Sequence, residues 1–381
     1  MHYLDYAATT PVLPEVRDVM FSILEGDFGN PSSTHTFGRK AKEAVEDARD
    51  RVAAAIGASP AEIVFTGGGT EADNLGLKGA AEKLRGSGSH IVITAFEHHA
   101  VLDTAEWLRR KGFEVTTVRV TSDGLVEPDA VASAVHRGTI LVSVMAVNNE
   151  IGTIQPMAEI VTAVKAANAN TVVHTDAVQA LGNIPVDVHA WGVDLAAFSA
   201  HKLGGPKGVG ALFVRSPVAV EPVIHGGGHE RGLRSGTLNV AGIAGFGMAA
   251  EIAAKEVYEK AERVRPLRDA LFEGIREQVT DVVVNGTLDQ RVPGNLNICI
   301  PGAAGEILLL LLDQVGIACS SGSACQSGAL DPSHVLLAIG TSRQLAEGSL
   351  RFTLGRDSTR ADVDAALAAL PDAVAGARKV A

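Results

Sequence analysis

Cysteine is scarce in this chain of 381 residues: Cys299, Cys319 and Cys325 are the only three. An odd number, crowded towards one end, cannot build a disulfide framework, and a reducing, cytoplasmic setting suits them better. Charge is also sparse, at 20% of residues, and it leans acidic, with 33 Lys+Arg against 44 Asp+Glu for a formal net charge of -11. That excludes a basic nucleic-acid clamp, so no direct nucleic-acid partner is expected. Long hydrophobic runs are missing: the longest aliphatic stretch, 307–312, is far short of the roughly 20 residues of a membrane span and reads as a buried helix or strand. The first residues, Met1-His2-Tyr3-Leu4-Asp5, show neither a basic region nor an apolar one, so no secretory signal is read there. What the chain does have is apolar bulk: 46% of its residues are hydrophobic, enough for a sizeable core. Its length divided by about 150 residues per domain suggests two or three domains.

Apolar periodicity organises the chain. Residues 34–56 carry a helical pattern that stops at Gly57, and a short apolar run at 63–66 opens through Gly67-Gly68-Gly69-Thr70 into a helical stretch at 71–84. Strand-like and helical segments then alternate: strands at 90–94, 115–120 and 140–147, a helix at 101–111, then strands at 171–174 and 195–199. That order predicts an α/β layer with a mostly parallel sheet. Polar residues gather where the strands end. A charged helical stretch at 249–278, expected to break at Pro266, leads from a large α/β domain (13–257) into a smaller α+β domain (1–12 and 258–381).

The strongest chemical signal is Ser199-Ala200-His201-Lys202 followed by Gly204, Gly205, Pro206, Lys207 and Gly208. A lysine at the end of an apolar strand, beside a hydroxyl and an imidazole, can lose its proton through desolvation and neighbouring positive charge. It then becomes an amine nucleophile towards an aldehyde, the requirement for a Schiff base with pyridoxal phosphate. The alternative is a surface lysine beside a glycine turn. Asp176, also at a strand's carboxyl end, supplies the carboxylate that a pyridinium nitrogen needs; its alternative is a helix cap. Gln179, one turn on, can donate to a phenolic oxygen. Gly69 and Thr70 open a helix whose N–H groups, with the threonine hydroxyl, suit a phosphate monoester. The spacing there is neither that of a P-loop nor GxGxxG.

His98, in Glu97-His98-His99, offers a flat surface for stacking on a ring. The histidine pair alone would suggest zinc, but no ligand set stands at matching spacing, and no metal is expected. Cys325, among serines and glycines, reads as an exposed thiol that can attack. Cys299 reads as a buried hydrophobe and Cys319 as intermediate. Arg351 stands on an otherwise apolar strand, which points to bidentate binding of a substrate carboxylate or, alternatively, to an internal ion pair.

Together with Tyr3-Leu4-Asp5-Tyr6-Ala7-Ala8-Thr9-Thr10-Pro11, Gly29-Asn30-Pro31-Ser32-Ser33, Val147-Asn148-Asn149-Glu150-Ile151-Gly152 and His225-Gly226-Gly227-Gly228-His229-Glu230-Arg231-Gly232, these motifs resemble the cysteine desulfurases of the NifS/IscS type, class-V aminotransferase-like enzymes of fold-type I. Ser320-Ser321-Gly322-Ser323-Ala324-Cys325 resembles the group with the longer cysteine loop. The resemblance implies a large domain with a mostly parallel seven-stranded sheet between helices, and pyridoxal 5'-phosphate as cofactor. It implies Lys202 as the Schiff-base lysine, Asp176 at the ring nitrogen, Gln179 at the phenolic oxygen and His98 on the ring. Gly69, Thr70, Ser199 and His201 would hold the phosphate, joined by Thr237 from the other subunit of a homodimer. Asn149, also beside the cofactor, and Arg351 would bind the carboxylate of L-cysteine. Cys325 would take the sulfur as a persulfide, leaving alanine, and pass it to an acceptor such as an iron–sulfur scaffold or a tRNA-thiolation protein. Where the family has a small or apolar residue this chain has Cys319, so a relay between two cysteines is conceivable. An aminotransferase or selenocysteine lyase on the same fold is the nearest rival.

Overall fold

The computed structural model describes residues 1–321 and 332–379; Cys325 and its neighbours at 322–331 lie outside the described residues. In chain order the strands are β1 (His2–Tyr3), β2 (Ile63–Thr66), β3 (His90–Thr94), β4 (Glu114–Val118), β5 (Thr139–Ser143), β6 (Val172–Asp176), β7 (Leu195–Ser199), β8 (Gly210–Val214), β9 (Val283–Val284), β10 (Asn295–Cys299), β11 (Ile317–Ala318) and β12 (Ser349–Thr353). Seven of them form the central sheet in the order β2-β8-β7-β6-β5-β3-β4, and only β8 runs against the others. Successive residues of these strands feed two cores. Val92, Val142, Val173, Ala196 and Phe213 join one cluster, while Ile91, Leu141, Val172, Leu195 and Leu212 join the other on the opposite face. A sheet covered on both faces explains why its strands read as unbroken apolar runs.

A third cluster collects Leu4 and residues from Val264 onward around the antiparallel sheet β12-β10-β9, with helices Gly305–Gln314 and Arg360–Ala377 packed against it. The first residues of the chain stitch the two bodies together. Thr353 N–H donates to the Leu4 carbonyl at 2.7 Å, and Thr10 N–H donates to the His201 carbonyl at 3.0 Å.

Four expectations need correction. The helix expected at 249–278 spans Val240–Gln278 and runs through Pro266 without a break. Proline in a helix interior costs about 3 kcal/mol, but Pro266 and Glu262, whose carbonyl it frees, are exposed to water, and Val257, Val264, Leu271 and Ile275 anchor the helix on either side. Its glycine-rich start escaped the periodicity because Gly247 faces a neighbouring helix, where an added Cβ would stand 2.6 Å from the Ala48 Cα. The strand expected at 140–147 ends at Ser143; Val144 to Val147 stay buried, with only an isolated bridge from Val147 to Ile154. The run 307–312 is helical but only partly buried, with Leu310 turned outward. Among the described residues, no helix is long and apolar enough to cross a membrane.

Candidate active site

The carboxyl ends of parallel strands converge on one cleft, the usual place for a ligand in an open α/β sheet. β2 passes through Gly67 and Gly68 into helix Gly69–Leu84. Gly68 has φ +150°, a conformation that L side chains rarely adopt. Gly69 packs so closely that an added Cβ would lie 2.6 Å from Val178 Cγ2. Gly69, Thr70, Ser199 and His201 line this end of the cleft, with Lys207 on its outer side. A helix N-terminus flanked by hydroxyls and a lysine is an anion site.

β3 leads to His98, which caps helix His99–Arg110 by accepting the Ala100 N–H at Nδ1, 3.0 Å away. With Nδ1 engaged as acceptor, Nε2 carries the ring proton. β6 delivers Asp176, whose Oδ1 accepts the Val178 N–H at 2.9 Å. The helix-cap alternative for Asp176 is thus met only by this local bond, and the carboxylate also lines the cleft. β7 delivers Lys202, whose Nζ donates to the carbonyls of Ala7 and Ala8 at 2.6 and 2.8 Å. Gln179 Nε2 donates to the same Ala7 carbonyl at 2.9 Å. One amino-terminal segment therefore positions both side chains.

Arg351, from β12, is buried at the cleft's far wall. Its Nη2 donates to Asp5 Oδ1 at 2.7 Å and its Nη1 to the Asn149 carbonyl at 2.8 Å. The ion-pair reading of Arg351 holds, and among the described residues its buried Nε has no partner. Asn149 Oδ1 is likewise buried and, among the described residues, unpartnered. Unpaired buried polar atoms are costly, and here both residues line the cleft, where a polar ligand can satisfy them.

Burial sets the charge pattern. It raises the Asp176 carboxyl above its ordinary range, opposed by the nearby His98 and Lys202. Burial, with Lys202 and Lys207 close by, pushes His201 down to about 4, so it is neutral at pH 7 and can bond Thr9 Oγ1, 3.1 Å from its Nδ1. Burial and Asp5 push the Cys319 thiol up to about 12, which leaves it a poor nucleophile for any relay. Cys299 is buried as expected. Thr237 is exposed and lines neither end of the cleft.

Several lining groups escaped the sequence. Asp73 stands one helical turn after Gly69, the one signal that could have found it; Met145 and the carbonyls of Ala7 and Ala8 offered none. Among the described residues no group of three or more His, Cys, Asp or Glu could hold a metal ion.

A family model described as Aminotransferase class-V matches residues 2–366. The chain belongs to that family. Within it the chain sits with the cysteine desulfurases. The cysteine desulfurase IscS of Anaeromyxobacter dehalogenans is 51% identical over 368 residues, covering 96% of this chain and 90% of that protein. A solved NifS-like protein matches with a TM-score of 0.93 at 40% identity, across 99% of this chain and all of the other. SspA, solved in complex with cysteine, matches with a TM-score of 0.82 at 34% identity, across 93% of this chain and 99% of the other. The family's cofactor is pyridoxal phosphate. The residues present fit it: an anion site, a buried carboxylate and a lysine amine line one continuous cleft.

Proposed function

We propose that this protein is a cysteine desulfurase that converts L-cysteine to L-alanine and passes the sulfur, through a persulfide on Cys325, to an acceptor protein. The observation that carries the reading is the convergence of Lys202, Asp176 and Arg351 on one cleft. Pyridoxal phosphate, when bound, supplies an aldehyde for a lysine amine and a ring that withdraws electrons. Gly69, Thr70, Ser199 and His201 would hold its phosphate, Asp176 its ring nitrogen, Gln179 its phenolic oxygen, and His98 its face, with Asn149 alongside.

The chain's own residues do the rest. Arg351 Nε and the Asn149 carboxamide bind the substrate carboxylate. Lys202 Nζ takes the proton from the substrate Cα, and His98 Nε2 exchanges a proton with the substrate thiol. The Cys325 thiolate bonds to the substrate sulfur as the substrate's C–S bond breaks; the carbon takes up a proton and leaves within alanine, and the sulfur stays as the persulfide. Ser321, whose carbonyl accepts from Ser349 Oγ at 2.9 Å two residues from Arg351, is the last described residue before the segment that holds Cys325.

The reading includes a homodimer. Phe21, Leu24, Phe28 and Phe37 expose an apolar surface on neighbouring elements, with Leu24 62% and Phe28 71% exposed and the Phe28 and Phe37 rings stacked 5.2 Å apart. Such a patch marks an interface, and the displaced Thr237 suits a phosphate ligand lent to the partner. The split into 13–257 and 1–12 with 258–381 is supported by the third core cluster. A reducing cytoplasmic setting and an acceptor such as an iron–sulfur scaffold or a tRNA-thiolation protein complete the proposal. The test is a single turnover without reductant: L-cysteine should add one sulfur atom to the Cys325 peptide by mass spectrometry, and an unmodified Cys325 beside a consumed substrate would overturn the assignment.

A further inference from the structure

Asp73 and His174 are 1% and 0% exposed, and their Oδ1 and Nε2 atoms lie 3.4 Å apart. Among the described residues neither atom has a hydrogen-bond partner. His174 Nδ1 is within 2.9 Å of Ser143 Oγ, so the imidazole is fixed at its other nitrogen. His174 stands two residues before Asp176 on β6, hence on the same face, and Asp73 lines the cleft together with Asp176. The room is made by Gly76, where an added Cβ would come within 3.0 Å of the His174 ring.

Three carboxyl groups, Asp73, Asp176 and Glu97, influence one another here. Like charges in a desolvated site cannot all be ionised. The neighbours that favour ionisation, His98 and Lys202, act on Asp176 and not on Asp73. Burial, Asp176 and Glu97 all raise Asp73 well above the ordinary carboxyl range, and burial pushes His174 down to about 3. Only a proton between them satisfies both orphaned atoms without creating a buried charge.

We propose that Asp73 is a positioning residue, protonated and donating to a neutral His174, so that the negative charge at the ring-nitrogen end of the cleft is confined to Asp176. The inference rests on the assignment of the ring nitrogen to Asp176. It makes a sharp distinction between two conservative changes. Asn at position 73 keeps a neutral donor to His174, whereas Asn at position 176 removes the carboxylate that the ring needs.

The experiment titrates the visible absorbance of the cofactor-loaded protein against pH and measures the dissociation constant of pyridoxal phosphate by tryptophan quenching. The expected result is that Asp73→Asn leaves the titration midpoint within about 0.3 pH unit and the dissociation constant within about twofold. Asp73→Leu weakens cofactor binding by tenfold or more, with thermal melting confirming that it is folded. A midpoint moved by a full unit in Asp73→Asn would mean that a charge was lost there, and would overturn the inference. An Asp176→Asn protein that titrates and binds like the wild type would instead refute the placement of the ring nitrogen, so the two failures are distinguishable.

Discussion

Arg351 and Asp5 stand 346 residues apart in the chain and 2.7 Å apart in space. The first residues of the protein thus fix a guanidinium that lines the cleft, while the Nη1 bond to Asn149 holds its second edge. Charge-assisted hydrogen bonds of this kind contribute about 1.5–3 kcal/mol. Arg351→Lys, which loses the planar fork, is expected to raise KM for L-cysteine roughly tenfold to a hundredfold, with the cofactor's absorbance unchanged. Steady-state kinetics and a visible spectrum check both halves. Asp5→Asn should show the same effect in weaker form.

Lys202 has two expected signatures. Lys202→Ala should abolish turnover, and treatment with borohydride should no longer fix the cofactor to the chain, as read by mass spectrometry. Retention of a borohydride-stable adduct would move the covalent attachment to another lysine.

Cys325→Ala should stop sulfur transfer while leaving the cofactor band intact, because Cys325 is assigned to the sulfur and not to the cofactor. A bleached band in this variant would count against the role.

Glu97 predicts a pH dependence of stability. Its Oε1 accepts from Thr94 Oγ1 and from the Met145 N–H, while burial raises its carboxyl to about 8. The folded state therefore holds a proton that the unfolded state releases between about pH 4.5 and 8, and stability falls as pH rises through that window. Glu97→Gln keeps an acceptor oxygen and removes the titration. Its Tm should match the wild type near pH 5 and exceed it at pH 8.5; equal values at both would show that Glu97 ionises freely.

The exposed aromatic surface predicts the oligomeric state. Phe28→Asp combined with Phe37→Asp should convert a dimer to a monomer in sedimentation, and should weaken cofactor binding if the partner's phosphate ligand is lost with it. A wild-type protein that sediments as a monomer contradicts the proposal directly.

Much of the site was legible because the sheet advertises its strand ends. The apolar runs at 90–94 and 195–199 coincide with β3 and β7, and His98, His201 and Lys202, within four residues of their ends, reach the cleft. Lys202 and Asp176 were readable for that reason. Asp5, Asp73 and His174 were not, since their chemistry depends on contacts made only when distant elements meet. The antiparallel β8 also escaped notice, lying behind the glycine turn that drew attention to the lysine. Long-range packing likewise decided the helix through Pro266, where local propensity argued for a break.

The most direct test of desulfuration is to incubate the reduced, cofactor-loaded protein with L-cysteine and a thiol reductant, and to quantify alanine by chromatography. The account predicts alanine released in step with sulfide. A loaded protein that produces no alanine, or a keto acid in its place, would contradict it.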